Sequence, residues 1–360
     1  MMKKHWMTIA LTWFLAGHLL AEFDANFEQI TPLPEPISNN AVSILVDDEN
    51  FRLVSTLGLG SGKSWADTSS QSFLYGSTTK DWSRLNPVPG PHGRLAASAI
   101  TVAGKVYLFG GYTVDEDGSE HSTPEVFVLN ESAGQWIEFA QMPVPTEDAV
   151  LLAYQDRYIY LLSGWHDLGN INLVQVLDTQ TATWQQATPY PGAPVFGHAG
   201  ALSDRSLVIC DGVKIQYSVD GTARQFLSSD ECWLGEIDAE NHRRINWRLL
   251  PPHPGKARYR MASGSDDSGR IWFAGGSQNP YNFDGMGYDG KPSEPTSALF
   301  SFNLKSQTWN CHGNLDLATM DHRGLPWHDG WFYLIGGMRA EQTVSAEVIR
   351  FRPPLEQACP

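Results

Sequence analysis

The chain has 360 residues, 42% of them hydrophobic and 11% aromatic, which excludes a disordered protein and provides for a large core. Its 40 Asp and Glu residues against 25 Lys and Arg give a formal net charge of −15. So acidic a surface repels phosphate backbones and argues against nucleic acid as a partner.

Residues 1–21 read as an export signal: Lys3, Lys4 and His5 are basic, Trp6 to Leu20 is mostly apolar, and Ala21 is the small residue that closes the run. The apolar run is short for a membrane span. Cleavage is therefore expected to leave a periplasmic or secreted protein with no membrane attachment. Four cysteines in such a chain, Cys210, Cys232, Cys311 and Cys359, allow three disulfide pairings. Cys210–Cys232 is the favoured pair, since both fall in one repeat on neighbouring strands, and Cys311–Cys359 follows by elimination. The Cys and His spacings suggest no metal site, and no cofactor is expected.

Residues 22–39 carry a lone strand, Phe27-Glu28-Gln29-Ile30, followed by a proline-rich turn. A repeat begins after it. Its clearest copy is Lys105-Val106-Tyr107-Leu108-Phe109-Gly110-Gly111-Tyr112, and the pattern returns at Ile159–Trp165, Arg270–Gly276 and Phe332–Gly337. An apolar run without alternation fits a strand covered on both faces. The terminal glycines fit a turn that a side chain would block. In the first repeat Gly58-Leu59-Gly60 stands in for the pair. A tryptophan follows early in each fourth strand, at Trp82, Trp136, Trp184, Trp247 and Trp309. The units fall at about 40–90, 91–144, 145–193, 194–255, 256–318 and 319–360. The last lacks a fourth strand, and the lone N-terminal strand supplies it. Closing the ring in this way leaves no exposed sheet edge.

Glycine pair, aromatic third strand and tryptophan, at intervals of roughly 50–60 residues, resemble the Kelch repeat. Gly110-Gly111, Gly275-Gly276, Gly336-Gly337, Trp136, Trp184 and Trp309 carry the resemblance, which covers nearly the whole chain after residue 21. It implies an all-β, six-bladed β-propeller in a single domain, residues 22–360. Among exported Kelch-type propellers the chain is similar to sialic acid mutarotases, to the propeller of galactose-oxidase-like enzymes, and to non-catalytic binding propellers. Fold does not choose among these. The mutarotase pattern has an acidic residue directly after the blade-four glycine, where this chain has Val213.

In a propeller the residues just before each first strand and just after each second strand meet around one mouth. His198, His322, Glu147 and Asp148 are the candidate acid–base groups there, and Arg94, Arg260 and Arg323 the candidate clamp for a ligand carboxylate. Trp165, His166, Gln278 and Asn279 follow second strands. The long insertion 277–297 adds Tyr281, Phe283 and Tyr288, aromatic rings suited to a sugar face. These residues point to a carbohydrate or protein ligand at the mouth. The alternative is a mutarotase or epimerase acting on N-acetylneuraminate-like sugars by general acid–base catalysis.

Overall fold

The structure, a computed structural model, describes residues 27–355 apart from 48, 220 and 222. The export signal and Cys359 lie outside the described residues. These form six four-stranded antiparallel sheets arranged as a propeller, with three two-stranded hairpins added. The first blade is Ala41–Asp47, Asn50–Thr56, Ser72–Gly76 and Asp81–Leu85, in that order from the axis outwards. The next four blades repeat this meander. The last is built from Trp327–His328, Trp331–Ile335 and Val348–Phe351, completed by Phe27–Ile30. That closure runs antiparallel with Phe27 opposite Phe351 and Glu28 opposite Arg350. The Phe27 and Phe351 rings stack at 5.5 Å, and Arg350 Nε donates to Glu28 Oε2 at 2.8 Å.

The second strands are buried nearly end to end, as in Val106–Phe109, Ile159–Leu162 and Phe332–Ile335, because each lies between two neighbouring sheets. Where each ends, two consecutive residues take positive φ. In the second blade these are Gly110 (48°) and Gly111 (84°), and a Cβ on Gly111 would lie 2.6 Å from the Leu95 carbonyl oxygen. The first position tolerates a side chain, so Ser163-Gly164 and Asp211-Gly212 serve as well. In the first blade the turn is Leu57-Gly58, at 60° and 106°, which places it one residue earlier than the Gly58-Leu59-Gly60 reading.

The strand-four tryptophans join blades: Trp136 Nε1 donates to Ser72 Oγ of the first blade at 2.9 Å, and Trp82 Nε1 to the Thr31 carbonyl at 2.9 Å. Hydroxyls do the same near the axis. Thr101 Oγ1 donates to Ile44 O (2.6 Å), Ser98 Oγ to Ala149 O (3.0 Å) and Ser265 Oγ to Leu202 O (2.9 Å). They line a channel of about 280 Å³. Cys210 and Cys232, directly opposite on adjacent strands, form the expected disulfide with Cα atoms 4.2 Å apart. Cys311 is also disulfide-bonded.

Candidate functional site

The site is built on a collar of left-handed residues, one per blade, just before each first strand: Asn39, Ala96, Asp148, Gly197, Arg260 and Asp321. Their backbones hydrogen-bond from blade to blade. Asp148 N donates to Ala96 O (3.0 Å), Gly197 N to Asp148 O (2.9 Å) and Arg260 N to Gly197 O (2.8 Å). The collar side chains meet on the axis. Arg260 donates to Asp148 Oδ2 from Nε (3.0 Å) and Nη2 (2.8 Å), and to Asp321 Oδ1 from Nη1 (3.1 Å). Arg323 Nη1 donates to Asp148 Oδ1. Burial alone would raise the Asp148 pKa, but the two guanidinium groups outweigh it and hold the carboxyl below its ordinary range. The network thus closes the axis with two arginines balanced by two aspartates.

One residue earlier in each blade lies a second layer: Ser38, Leu95, Glu147, Phe196, Tyr259 and Met320, bridged to Leu59, Tyr112, Trp165, Val213, Ser277 and Met338. This layer is an apolar and aromatic cluster. Glu147 is its charged member. A pocket of about 300 Å³ opens above it, walled by the aromatic rings of Tyr112, Trp165, Phe196, Phe226 and Tyr288. Its polar lining is Glu120, Glu147, Asp148, Arg224, Arg260 and Asn282. The walls stand high because blades two to four extend beyond their glycine turns as hairpins: Tyr112–Val114 with Glu120–Ser122, Trp165–His166 with Gly169–Asn170, and Val213–Tyr217 with Arg224–Ser228. The fifth blade contributes the insertion, folded on itself through Asn282 N to Met286 O (2.8 Å) and Gly287 N to Lys291 O (2.7 Å). Phe226 and Tyr288 stack at 4.0 Å across the join between blades four and five.

Glu147 is 5% exposed, and Ser122 Oγ donates to its Oε2 at 3.3 Å. Burial, then the charges of Glu120 and Asp148, push its pKa well above the usual carboxylate value. Glu147 therefore tends to carry a proton. Glu120 is also raised, by the desolvating walls around it, although its residue remains accessible from the pocket. The Arg224 guanidinium stands at the rim, its Cζ 5.9 Å from the Trp165 ring. The arrangement offers a proton donor, a second carboxylate and a cation around an aromatic cleft.

Of the residues singled out from sequence, Glu147, Asp148, Arg260, Trp165 and Tyr288 come together in this pocket. His198, His322 and Arg323 line the channel on the other side of the ion network. Burial lowers the His198 pKa to about 4 and that of His322 to about 3. Arg94 is turned to Glu125 at 3.1 Å and to Thr123 Oγ1 at 3.1 Å. Tyr281 is fully buried beneath the pocket, 5.0 Å from Tyr259, and Phe283 packs on the same cluster. Gln278 is exposed, Asn279 holds its loop by donating to Asp289 Oδ1 at 3.0 Å, and His166 pairs with Gly169 in its hairpin. Glu120, Arg224, Phe226 and Asn282 were not visible as site residues in the sequence. Asp211, Cys232 and His253 place ligand-type atoms within 4.8 Å of one another. The Cys232 sulfur, however, is in the disulfide, and Asp211 Oδ1 lies 2.9 Å from His253 Nε2, so those atoms are already partnered.

No family model matches the chain. N-acetylneuraminate epimerase 1 of Escherichia coli is 22% identical over 361 residues, 88% of this chain and 89% of that protein. Kelch-like protein 15 of Homo sapiens is 24% identical over 155 residues, and the chain spans only 25% of that protein's length. The solved structure of YjhT superposes with a TM-score of 0.68 and 16% identity, covering 89% of this chain and 95% of that one. Repeat, closure and these likenesses agree on the fold: the chain is a six-bladed β-propeller similar to Kelch-repeat proteins.

Proposed function

We propose that the mouth pocket binds an acidic sugar and interconverts its anomers. The observation that carries this reading is Glu147, a buried carboxyl in a layer where the other blades place Ser38, Leu95, Phe196, Tyr259 and Met320. Burying such a group opposes folding unless it is paired or protonated, and a protonated carboxyl facing an aromatic cleft is suited to general acid catalysis. In the reading, Glu147 gives its proton to the ring oxygen while the Glu120 carboxylate takes the proton of the anomeric hydroxyl. The ring C–O bond breaks and the open-chain carbonyl form results. Rotation exposes the other carbonyl face, and the reverse transfers reclose the ring. Arg260 is committed to two aspartates, so Arg224 is the guanidinium that meets the ligand carboxylate. The full-length likeness to an N-acetylneuraminate epimerase supports the same reaction class. The Cys210–Cys232 disulfide supports an exported setting. Proton NMR exchange between anomers of N-acetylneuraminate tests it; no acceleration over buffer across several acidic sugars removes it.

A protein ligand is the second reading. Leu168, 84% exposed, and Tyr217, 53% exposed, stand on the hairpins of blades three and four. Leu168→Ser with Tyr217→Ser abolishes such binding and leaves anomer exchange intact.

A further inference from the structure

We propose that Ser122 and Asp167 form a latch between the hairpins of blades two and three that positions Glu147 and directs a hydroxyl proton at it. The proposal rests on the proton-donor reading of Glu147 but is measured separately from it. Ser122 ends the Glu120–Ser122 strand, and Asp167 lies in the turn between Trp165–His166 and Gly169–Asn170. The two residues bond reciprocally. Ser122 N donates to Asp167 Oδ1 at 2.9 Å, and Asp167 N donates to Ser122 Oγ at 3.1 Å. A serine hydroxyl that accepts from a backbone N–H has its own proton free to turn elsewhere. The acceptors within reach are Glu147 Oε2, at 3.3 Å, and the Asp167 carboxylate, which already takes the Ser122 N–H. The latch thus fixes where the hydroxyl sits, with Glu147 Oε2 in its reach.

The chemistry gives this contact a role beyond packing. The acidic groups that face Glu147 are Glu120 on the same hairpin strand as Ser122, Asp148 on its own segment, and Asp167 on the next hairpin; Arg224 and Arg260 lie across the pocket. Burial and the three carboxylates all favour the protonated form. The Ser122 hydroxyl is the contact that stabilises the carboxylate left when the proton departs. A donor held too tightly to its proton is a poor acid, so the latch keeps Glu147 able to release it. A polar cavity of about 200 Å³, lined by Gly118, Ser122 and Asp167 and sharing Glu147 with the main pocket, gives this side of the carboxyl a route to solvent.

Ser122 is a positioning residue, and the test reads the Glu147 proton itself. Carbon-13 labelling of glutamate with a Glu147→Gln reference isolates the Glu147 carboxyl band in infrared difference spectra, and its titration is followed without sugar. Ser122→Ala is expected to shift the midpoint upward by about 1 unit, roughly tenfold in proton affinity. Ser122→Thr, which keeps the hydroxyl, is expected to restore it. In the anomer-exchange assay Ser122→Ala lowers kcat by about tenfold with KM nearly unchanged and moves the rate–pH profile the same way. Coincident titrations for wild type and Ser122→Ala overturn the latch, as does a threonine variant that titrates like alanine. If wild type exchanges no anomers but the infrared shift is present, the catalytic reading falls and the latch stands.

Discussion

Glu147 and Asp148 are adjacent in the chain and both buried, yet they belong to two regions with opposite electrostatics. Asp148 lies in the axial network, where it accepts from Arg260 and Arg323 and remains a carboxylate. Glu147 lies in the aromatic layer above, has a hydroxyl for its hydrogen-bond partner, and is driven towards the acid form. A collar residue with left-handed φ aims one side chain at the axis and leaves its predecessor facing the pocket. The lesson is a division of labour between neighbours. The paired carboxylate holds blades together, and the unpaired one carries a removable proton.

The sharpest way to break this comparison is to remove the paired member. Asp148→Ala leaves two buried guanidinium groups with only the Asp321 carboxylate to share, and such a loss costs about 3–5 kcal/mol. The expected outcome is a fall in the urea midpoint large enough to unfold much of the protein at 37 °C. An unchanged midpoint means the network does not join the blades.

Removing the unpaired member has the reverse signature. Glu147→Gln keeps the shape and loses the proton, so anomer exchange falls by roughly 10²-fold or more. Folding does not suffer, since a carboxyl that must stay protonated against bulk solvent is replaced by a neutral amide. Equal or higher thermal stability at pH 8, with activity lost, is the expected pair of results. A variant that is active, or one that is unstable, puts Glu147 with the structural residues. Trp165→Ala sharpens the same contrast with a smaller effect. It removes a wall shared by both cavities, and stacking on one ring accounts for about tenfold in sugar affinity. Binding measured by calorimetry weakens while the axial network and the urea midpoint change little.

Much of this was legible in the sequence. Second strands such as Val106–Phe109 are apolar throughout because two sheets cover them, and the need for two positive φ values in succession writes glycine into the chain. Phe27–Ile30 could be read as a missing fourth strand because the last repeat ends without one. The shared mouth was legible for the same reason, since Asp148 and Arg260 hold equivalent places in their blades, with Glu147 one residue before and Trp165 bridged to it. Which side of the axis a side chain faces was not. His198 and Arg323 are one and two residues beyond their collar positions, and that offset sends them into the channel. Glu120 and Arg224 sit on hairpins only three and five residues deep, too short for a period to announce them. Arg94 kept its place but found Glu125, a partner on another strand of its own blade that spacing does not reveal.

The smallest expected effect is on stability against pH, where the two sides of the collar pull in opposite directions. His198 and His322 fold with pKa values of about 4 and about 3, against 6.5 in the unfolded chain. Below 6.5 the unfolded state takes up protons that the folded state refuses, so their contribution is full above 6.5 and is lost as pH falls towards 4 and then 3. Glu147 has the opposite sign. Its folded pKa lies well above 4.5, so the folded state keeps a proton that the unfolded state has released, and stability falls as pH rises from 4.5. Urea unfolding of wild type, Glu147→Gln and His198→Asn at pH 5, 6.5 and 8 separates the two. Glu147→Gln is expected to gain on wild type as pH rises from 5, while His198→Asn flattens the limb between 6.5 and 5. If the Glu147→Gln and wild-type curves run parallel across that range, Glu147 is not held in its acid form, and the contrast with Asp148 is one of position alone.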